Sequence, residues 1–189
     1  MQTQSKVYDS YAQAERVVRE LETAGVPSSE ISMVANKYTS DKYANVDEAS
    51  PAATGASVGA AVGGGAGLLA GLGLLAIPGL GPVVAAGWFA STALGLVAGS
   101  ATGGIIGALV GTGVSEDHAH VYSEAVRRGA TLVTVRSDVP VVADILNRHN
   151  PIDPDNRRNE YQNSGWTQFD PKAPPYKPVA AEIERMRRP

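Results

Sequence analysis

His118 and His120 stand beside Glu116 and Asp117, and imidazoles next to carboxylates are side chains that can hold a divalent metal ion. Their spacing speaks against such a site. Residues two apart on a helix point to different faces, and acids directly after Ser115 are what the positive end of a helix dipole attracts. Gly65, Gly67 and Ala70 imitate part of a phosphate-binding fingerprint, yet some thirty residues separate them from the strand pattern at 31–35, and no Gly-Lys-Ser/Thr follows. The third histidine, His149, falls at a predicted helix end, where a cation suits the dipole. With three histidines and no cysteine, thiol chemistry and thiolate metal sites are excluded, and spacing alone assembles no Ser–His–acid set. The sequence therefore predicts no catalytic residue, no metal and no cofactor. Arg127 and Arg128, adjacent at a helix end, are candidate contacts for lipid phosphates.

The elements that would carry these residues can be read from caps and periodicity. Lys6 to Tyr8 predicts a short strand, and Ser10 with Gln13 has the spacing of a capping box. Ala14, Val17, Val18 and Leu21 share one helical face, and Gly25 followed by Pro27 ends the helix. Residues 31–35 are the next strand, which completes a βαβ unit. Farther on, Ser115 caps a helix that closes at Arg127, Arg128 and Gly129; residues 130–135 form a strand, and Asp138 caps a helix over 141–148. Neither piece is large enough to bury a core alone, so residues 1–50 and 115–150 are expected to form one small α/β lobe, related to the ferredoxin-like arrangement. Residues 151–189 hold seven of the twelve prolines and predict an extended tail, with a short helix in its last stretch; Trp166, Phe169 and Tyr176 are expected to dock onto the lobe, with anchoring to a membrane surface as the alternative.

Between the two halves lies a different kind of chain. From Glu48 to Glu116 the 67 intervening residues contain no Asp, Glu, Lys, Arg or His. Formal charge is −3 over 1–50, −1 over 115–150 and +1 over 151–189, which leaves no basic face for nucleic acid. Glycines recur every four residues at Gly55, Gly59, Gly63, Gly67 and Gly71, and again at Gly95, Gly99, Gly103, Gly107 and Gly111. On a helix that period lines up a stripe without side chains, along which another backbone can approach closely. Pro78, Gly79, Gly81 and Pro82 separate the series, so residues 51–114 predict a helical hairpin with arms over 52–77 and 83–114.

Both arms exceed the roughly 20 residues that cross a bilayer, although the first carries few strongly apolar side chains. A membrane hairpin is the first expectation. The alternatives are helices packed on one another in a soluble homo-oligomer, or a hairpin that permeabilises membranes. The amino-terminal residues do not form a secretory signal. With an uncharged turn that is easy to translocate, both polar flanks would lie on the cytoplasmic side of the inner membrane; a cytoplasmic location is the alternative.

Residues 7–35, VYDSYAQAERVVRELETAGVPSSEISMVA, and 115–138, SEDHAHVYSEAVRRGATLVTVRSD, together with ADILNRHN at 143–150 and SGWTQFD at 164–170, resemble the bacterial general stress protein 17M-like (YflT-type) domain family. The resemblance extends over nearly the whole chain, but its motifs are structural. It implies a stress-related, often membrane-associated protein without enzymatic activity to carry over. Combined with the glycine series, the expectation is a self-assembling membrane protein whose partners are further copies of itself and lipid, with the α/β lobe facing a protein partner in the cytosol.

Overall fold

The computed structural model describes residues 1–39, 73–77, 80–95, 104–174 and 176–187. Strand β1 (Gln2–Tyr8) leads into helix α1 (Tyr11–Thr23), which Ser10 opens by accepting a hydrogen bond from the Gln13 backbone N–H at 3.2 Å. Four apolar residues of α1, Ala14, Val17, Val18 and Leu21, are buried as the spacing requires. The helix closes in a Schellman turn: Gly25, at φ +90°, donates to Glu22, and Val26 donates to Leu21. Strand β2 (Ile31–Asn36) follows.

The chain then supplies strands β3 (Gly73–Ile77) and β4 (Gly81–Ala86), helices α2 (Trp88–Gly95), α3 (Ile105–Gly111) and α4 (Glu116–Arg127), strand β5 (Thr131–Ser137), and helices α5 (Val142–Arg148), α6 (Pro154–Asn163) and α7 (Ala180–Arg187). The strands form one antiparallel sheet in the order β1-β5-β2-β4-β3. Strands β1 and β2 are parallel to each other and flank β5, so the two sequence halves meet in a single sheet. The same holds for β4 and β5 about β2, and two split βαβ units interleave.

Because side chains alternate along a strand, the sheet feeds two cores. Ile31, Met33, Val133 and Val135 pack with α1 and α5 on one side, while Val34, Val83, Ala85 and Leu132 pack with α2, α3 and α4 on the other. Each fully buried residue of this size is worth about 1.5–3 kcal/mol relative to exposure. Covering both faces explains why β2 is buried along its whole length.

The structure corrects the predicted helical hairpin where its arms are described; residues 52–72 of the first arm and 96–103 of the second lie outside the described residues. Residues assigned to the end of the first arm and the start of the second are strands, with Leu74 opposite Val84 and Ile77 opposite Gly81. Leu80 donates to the Ile77 carbonyl at 3.0 Å, so the turn belongs to a β-hairpin. Val83 and Val84 are β-branched, and pairing along β2 satisfies their backbone where a glycine-rich helix in water would be costly. Pro82 lies beyond the paired stretch of β2 and β4, at a strand end where a missing N–H is tolerated. The second arm is divided too: Gly87 at φ +90° and Gly104 at φ +80° bound separate short helices. Among the described residues, no helix is long and apolar enough to cross a membrane.

Two smaller expectations also change. The tail is not extended throughout: Asp153 accepts from the Asn156 N–H at 2.8 Å, Pro154 occupies the first turn, and α6 runs to Asn163. Helix α5 begins at Val142 without a side-chain cap, whereas Asp138 bonds the amino terminus at 3.1 Å and Ser137 accepts the Val139 N–H.

Candidate functional site

The densest polar chemistry lies where α4 ends against the sheet. Helix α4 opens on Ser115, whose hydroxyl accepts the His118 N–H, and it buries Glu124 to 1 % exposure. A buried carboxylate must be compensated, and the chain provides this three and four residues later, on the same helical face. Arg127 Nη1 approaches the two carboxylate oxygens at 3.1 and 3.3 Å, and Arg128 Nε donates to Oε1 at 2.6 Å. Arg127 also donates to the Pro174 carbonyl and lies 5.8 Å from the Tyr176 ring centroid. Arg128 stacks 4.4 Å over Tyr161. The two arginines expected to meet lipid phosphates are thus engaged within the chain, by Glu124 and by the docked tail.

Gly129 continues this corner in two ways. As the residue after the helix cap it takes φ +112°, and its N–H and that of Ala130 bond Val126 and Ala125. A Cβ there would fall 2.3 Å from Met186 Cε, so the missing side chain is also the seat of α7. A cleft of about 300 Å³ opens beside it, lined by Asp9, Arg128, Gly129, Arg157, Tyr161 and Met186 among others. Arg157 donates to Asp9 at 2.7 Å and pairs with Glu160 at 3.2 Å. Burial works against its charge, but the hydrogen bond and the attraction of Asp9 raise its pKa. Burial likewise raises the Tyr161 phenol. Two ion pairs, Arg157 with Asp9 and Arg157 with Glu160, therefore run along the cleft wall.

A second charged clasp joins α1 to α5. Glu20 receives His149 Nε2 at 2.6 Å and Arg148 Nη1 at 2.5 Å, and Gln13 donates to the His149 carbonyl. The His149 hydrogen bond is the largest influence on the Glu20 carboxyl and outweighs desolvation; with the Arg148 and His149 charges it holds the group below its usual range. His149 is thus bound to an acid on another helix, in addition to standing at a helix end.

The other sequence candidates are dispersed. His118 faces Asp155 of α6 at 3.3 Å, and His120 Nδ1 is buried without a hydrogen-bond partner among the described residues. Among the described residues no three potential ligands gather to hold a metal. Gly95 ends α2, and Gly107 and Gly111 lie in α3; Gly81 and Pro82 are in β4. Gly55, Gly59, Gly63, Gly67, Gly71, Gly99 and Gly103, with Pro78 and Gly79 of the turn, lie outside the described residues. The aromatic tail residues do dock: Phe169 is buried in the core that α4 shares, Trp166 packs against the same core, and the Tyr176 ring lies 5.8 Å from the Arg127 guanidinium.

Sequence reasoning missed Glu124 and Arg157. The first was signalled by an acid with arginines at the third and fourth positions after it; the second lay in a segment read as extended. No family model matches the chain, and neither a curated protein nor a solved structure does.

Proposed function

We propose that the chain is a non-enzymatic assembly protein, whose α/β lobe is a rigid body that associates with further copies through the uncharged, glycine-rich part of the sequence. One observation carries this reading. Among the described residues, 73–77, 80–95 and 104–111 of the uncharged stretch are fastened into the lobe, through strands that extend the main sheet and helices that cover one face of it. Charged residues that could act on a substrate are meanwhile occupied with one another, Glu124 with Arg127 and Arg128, and Arg157 with Asp9.

Detergent-free purification with light scattering tests this. The full chain should elute as a discrete oligomer, and Gly63→Leu with Gly103→Leu should reduce its size while the circular dichroism of the lobe persists. Unchanged size in that variant would sink the role of the glycines. A second reading, a membrane-associated stress protein, is supported by the uncharged composition and the glycine period of 49–115 and by the family resemblance. Alkaline carbonate extraction separates the two: a pelleted full chain favours lipid, a soluble one favours assembly in water.

A further inference from the structure

We infer that Met186 is a modification site: oxidation of its thioether by a hydroperoxide releases helix α7 from Gly129 and opens the cleft that the helix helps to wall. The chain has three methionines, and they stand in three different settings. Met1 is 80 % exposed. Met33 is fully buried in β2, between Ala86 of β4 and Val133 of β5. Met186 is as well hidden, at 1 % exposure, but it belongs to a helix of eight residues and not to the middle of a sheet.

Three atoms of that side chain, Cγ, Sδ and Cε, lie across Gly129, all within 2.8 Å of where a Cβ would stand. Met186 is the one buried side chain of α7 among the described residues, and Arg187 beside it donates from Nε to the Tyr38 carbonyl at 2.9 Å. A helix this short is marginal alone in water, so its order depends on the methionine keeping its seat. Lifting an element held by so little buried apolar surface takes less free energy than unfolding the sheet. Such an opening uncovers Met186 while Met33 stays shut.

The reaction is a two-electron oxidation. A sulfur lone pair attacks one oxygen of hydrogen peroxide, an S–O bond forms as the O–O bond breaks, and the proton of the transferred oxygen passes to the departing hydroxide, which leaves as water. Sulfur is oxidised and the peroxide reduced. The product exchanges a soft apolar thioether for a strongly polar S–O group, which needs a hydrogen-bond donor when buried. Donors beside the seat are already engaged: the Gly129 N–H bonds the Val126 carbonyl, the Ala130 N–H that of Ala125, and Arg128 Nε the Glu124 carboxylate. Water satisfies the new oxygen once the side chain leaves Gly129. Glu182 and Met186 of α7 line the cleft together with Asp9, Arg128 and Arg157, so departure of the helix removes part of its wall.

The test treats the full chain with hydrogen peroxide. Peptide mass spectrometry reads the order in which Met1, Met33 and Met186 gain an oxygen, and hydrogen exchange reads a peptide covering residues 180–187. Met1 should be oxidised first, Met186 next and Met33 last, and exchange over 180–187 should accelerate about tenfold or more as the Met186 sulfoxide accumulates. Met186→Leu, which fills the seat without sulfur, should keep slow exchange in peroxide, whereas Met33→Leu should still respond. Should Met186→Leu lose its circular dichroism, reduction of the wild-type sulfoxide by methionine sulfoxide reductases serves instead, and should restore slow exchange. A Met186 sulfoxide that leaves exchange over 180–187 unchanged overturns the inference. So does a Met186 oxidised no sooner than Met33, a peroxide response that survives in Met186→Leu, or fast exchange that persists after reduction. None of these results bears on self-association, which light scattering of the untreated chain decides.

Discussion

Gly87 and Gly113 both adopt φ +90°, but their surroundings differ, and alanine at each separates backbone strain from steric contact. At Gly113 an added Cβ meets nothing within 4 Å, so Gly113→Ala costs only the positive φ, about 1–2 kcal/mol. At Gly87 the same atom falls 2.4 Å from the Ile31 carbonyl oxygen, 2.3 Å from Ser32 Oγ and 2.8 Å from Ser32 Cα. Two of these are backbone atoms of β2, a central strand, so relief must come from moving the β4–α2 junction outward. That movement breaks the 2.9 Å bond from Phe89 N–H to Ser32 Oγ, about 1 kcal/mol, and loosens a phenyl ring that is fully buried, a further 1–2 kcal/mol if half its burial is lost. The sum for Gly87→Ala is about 3–5 kcal/mol. For a domain of this size each kcal/mol lowers the melting temperature by about 2–4 °C, giving roughly 6–20 °C at Gly87 against roughly 2–8 °C at Gly113. Thermal unfolding followed by circular dichroism is the assay. Equal losses in the two variants would refute the integration of residues 81–95 into the lobe, because only a β4–α2 junction pressed against β2 distinguishes the sites.

Two further outcomes follow from the charge clusters. Glu124→Ala should destabilise the lobe by about 3 kcal/mol, because it leaves two partly buried guanidiniums without a carboxylate; the triple variant with Arg127→Ala and Arg128→Ala should recover part of that loss in urea denaturation. A triple variant that is additively worse would show that the arginines act by packing rather than charge. For Glu20 the sign is that of an acid whose folded pKa is depressed: the stability it contributes is present above the unfolded carboxyl value of about 4.3 and is lost as pH falls through the lower folded value. His149→Ala should therefore raise the Glu20 titration midpoint, measured by NMR on the side-chain carboxyl, and should shift the acid limb of the stability profile to higher pH. An unmoved midpoint would mean that the 2.6 Å contact does not persist in solution.

Where local rules decide the structure, the sequence is legible. Ser10, Ser115, Gly25 and Gly129 mark helix ends through bonds to residues a few positions away, and all four behave as caps or turn glycines in the structure. The split pairing of β1 and β2 about β5 follows from two pieces that each need the other's apolar face. The hairpin of β3 and β4 is not legible in the same way. Its partner is β2, some fifty residues earlier, and a run of Gly, Ala and Leu carries neither the period of a strand nor that of an amphipathic helix. Helix α6 shows the opposite problem: its cap and proline are plain signals, but Tyr161 is its only buried residue, so an amphipathic pattern hardly exists. The Glu124 cluster is half legible. The spacing of acid and arginines is visible, whereas the burial that makes it consequential comes from the sheet beneath.

The glycine period shows why a repeat in sequence need not become a repeat in space. A stripe of glycines every four residues exists only while one helix continues, since each residue adds a fixed rotation about the axis. Gly95 ends α2 and Gly107 lies within α3, and between them Gly104 turns to φ +80°, a conformation that leaves the helix and discards its phase. Glycine permits close helix packing because it lacks a Cβ, and for the same reason it reaches positive φ without strain. A glycine-rich segment therefore carries the instruction for a zipper and for a break together. In the described residues around β2, the break prevails: strand pairing and the Ser32 hydroxyl bonded to Phe89 satisfy backbone groups that a continuous helix would have kept to itself.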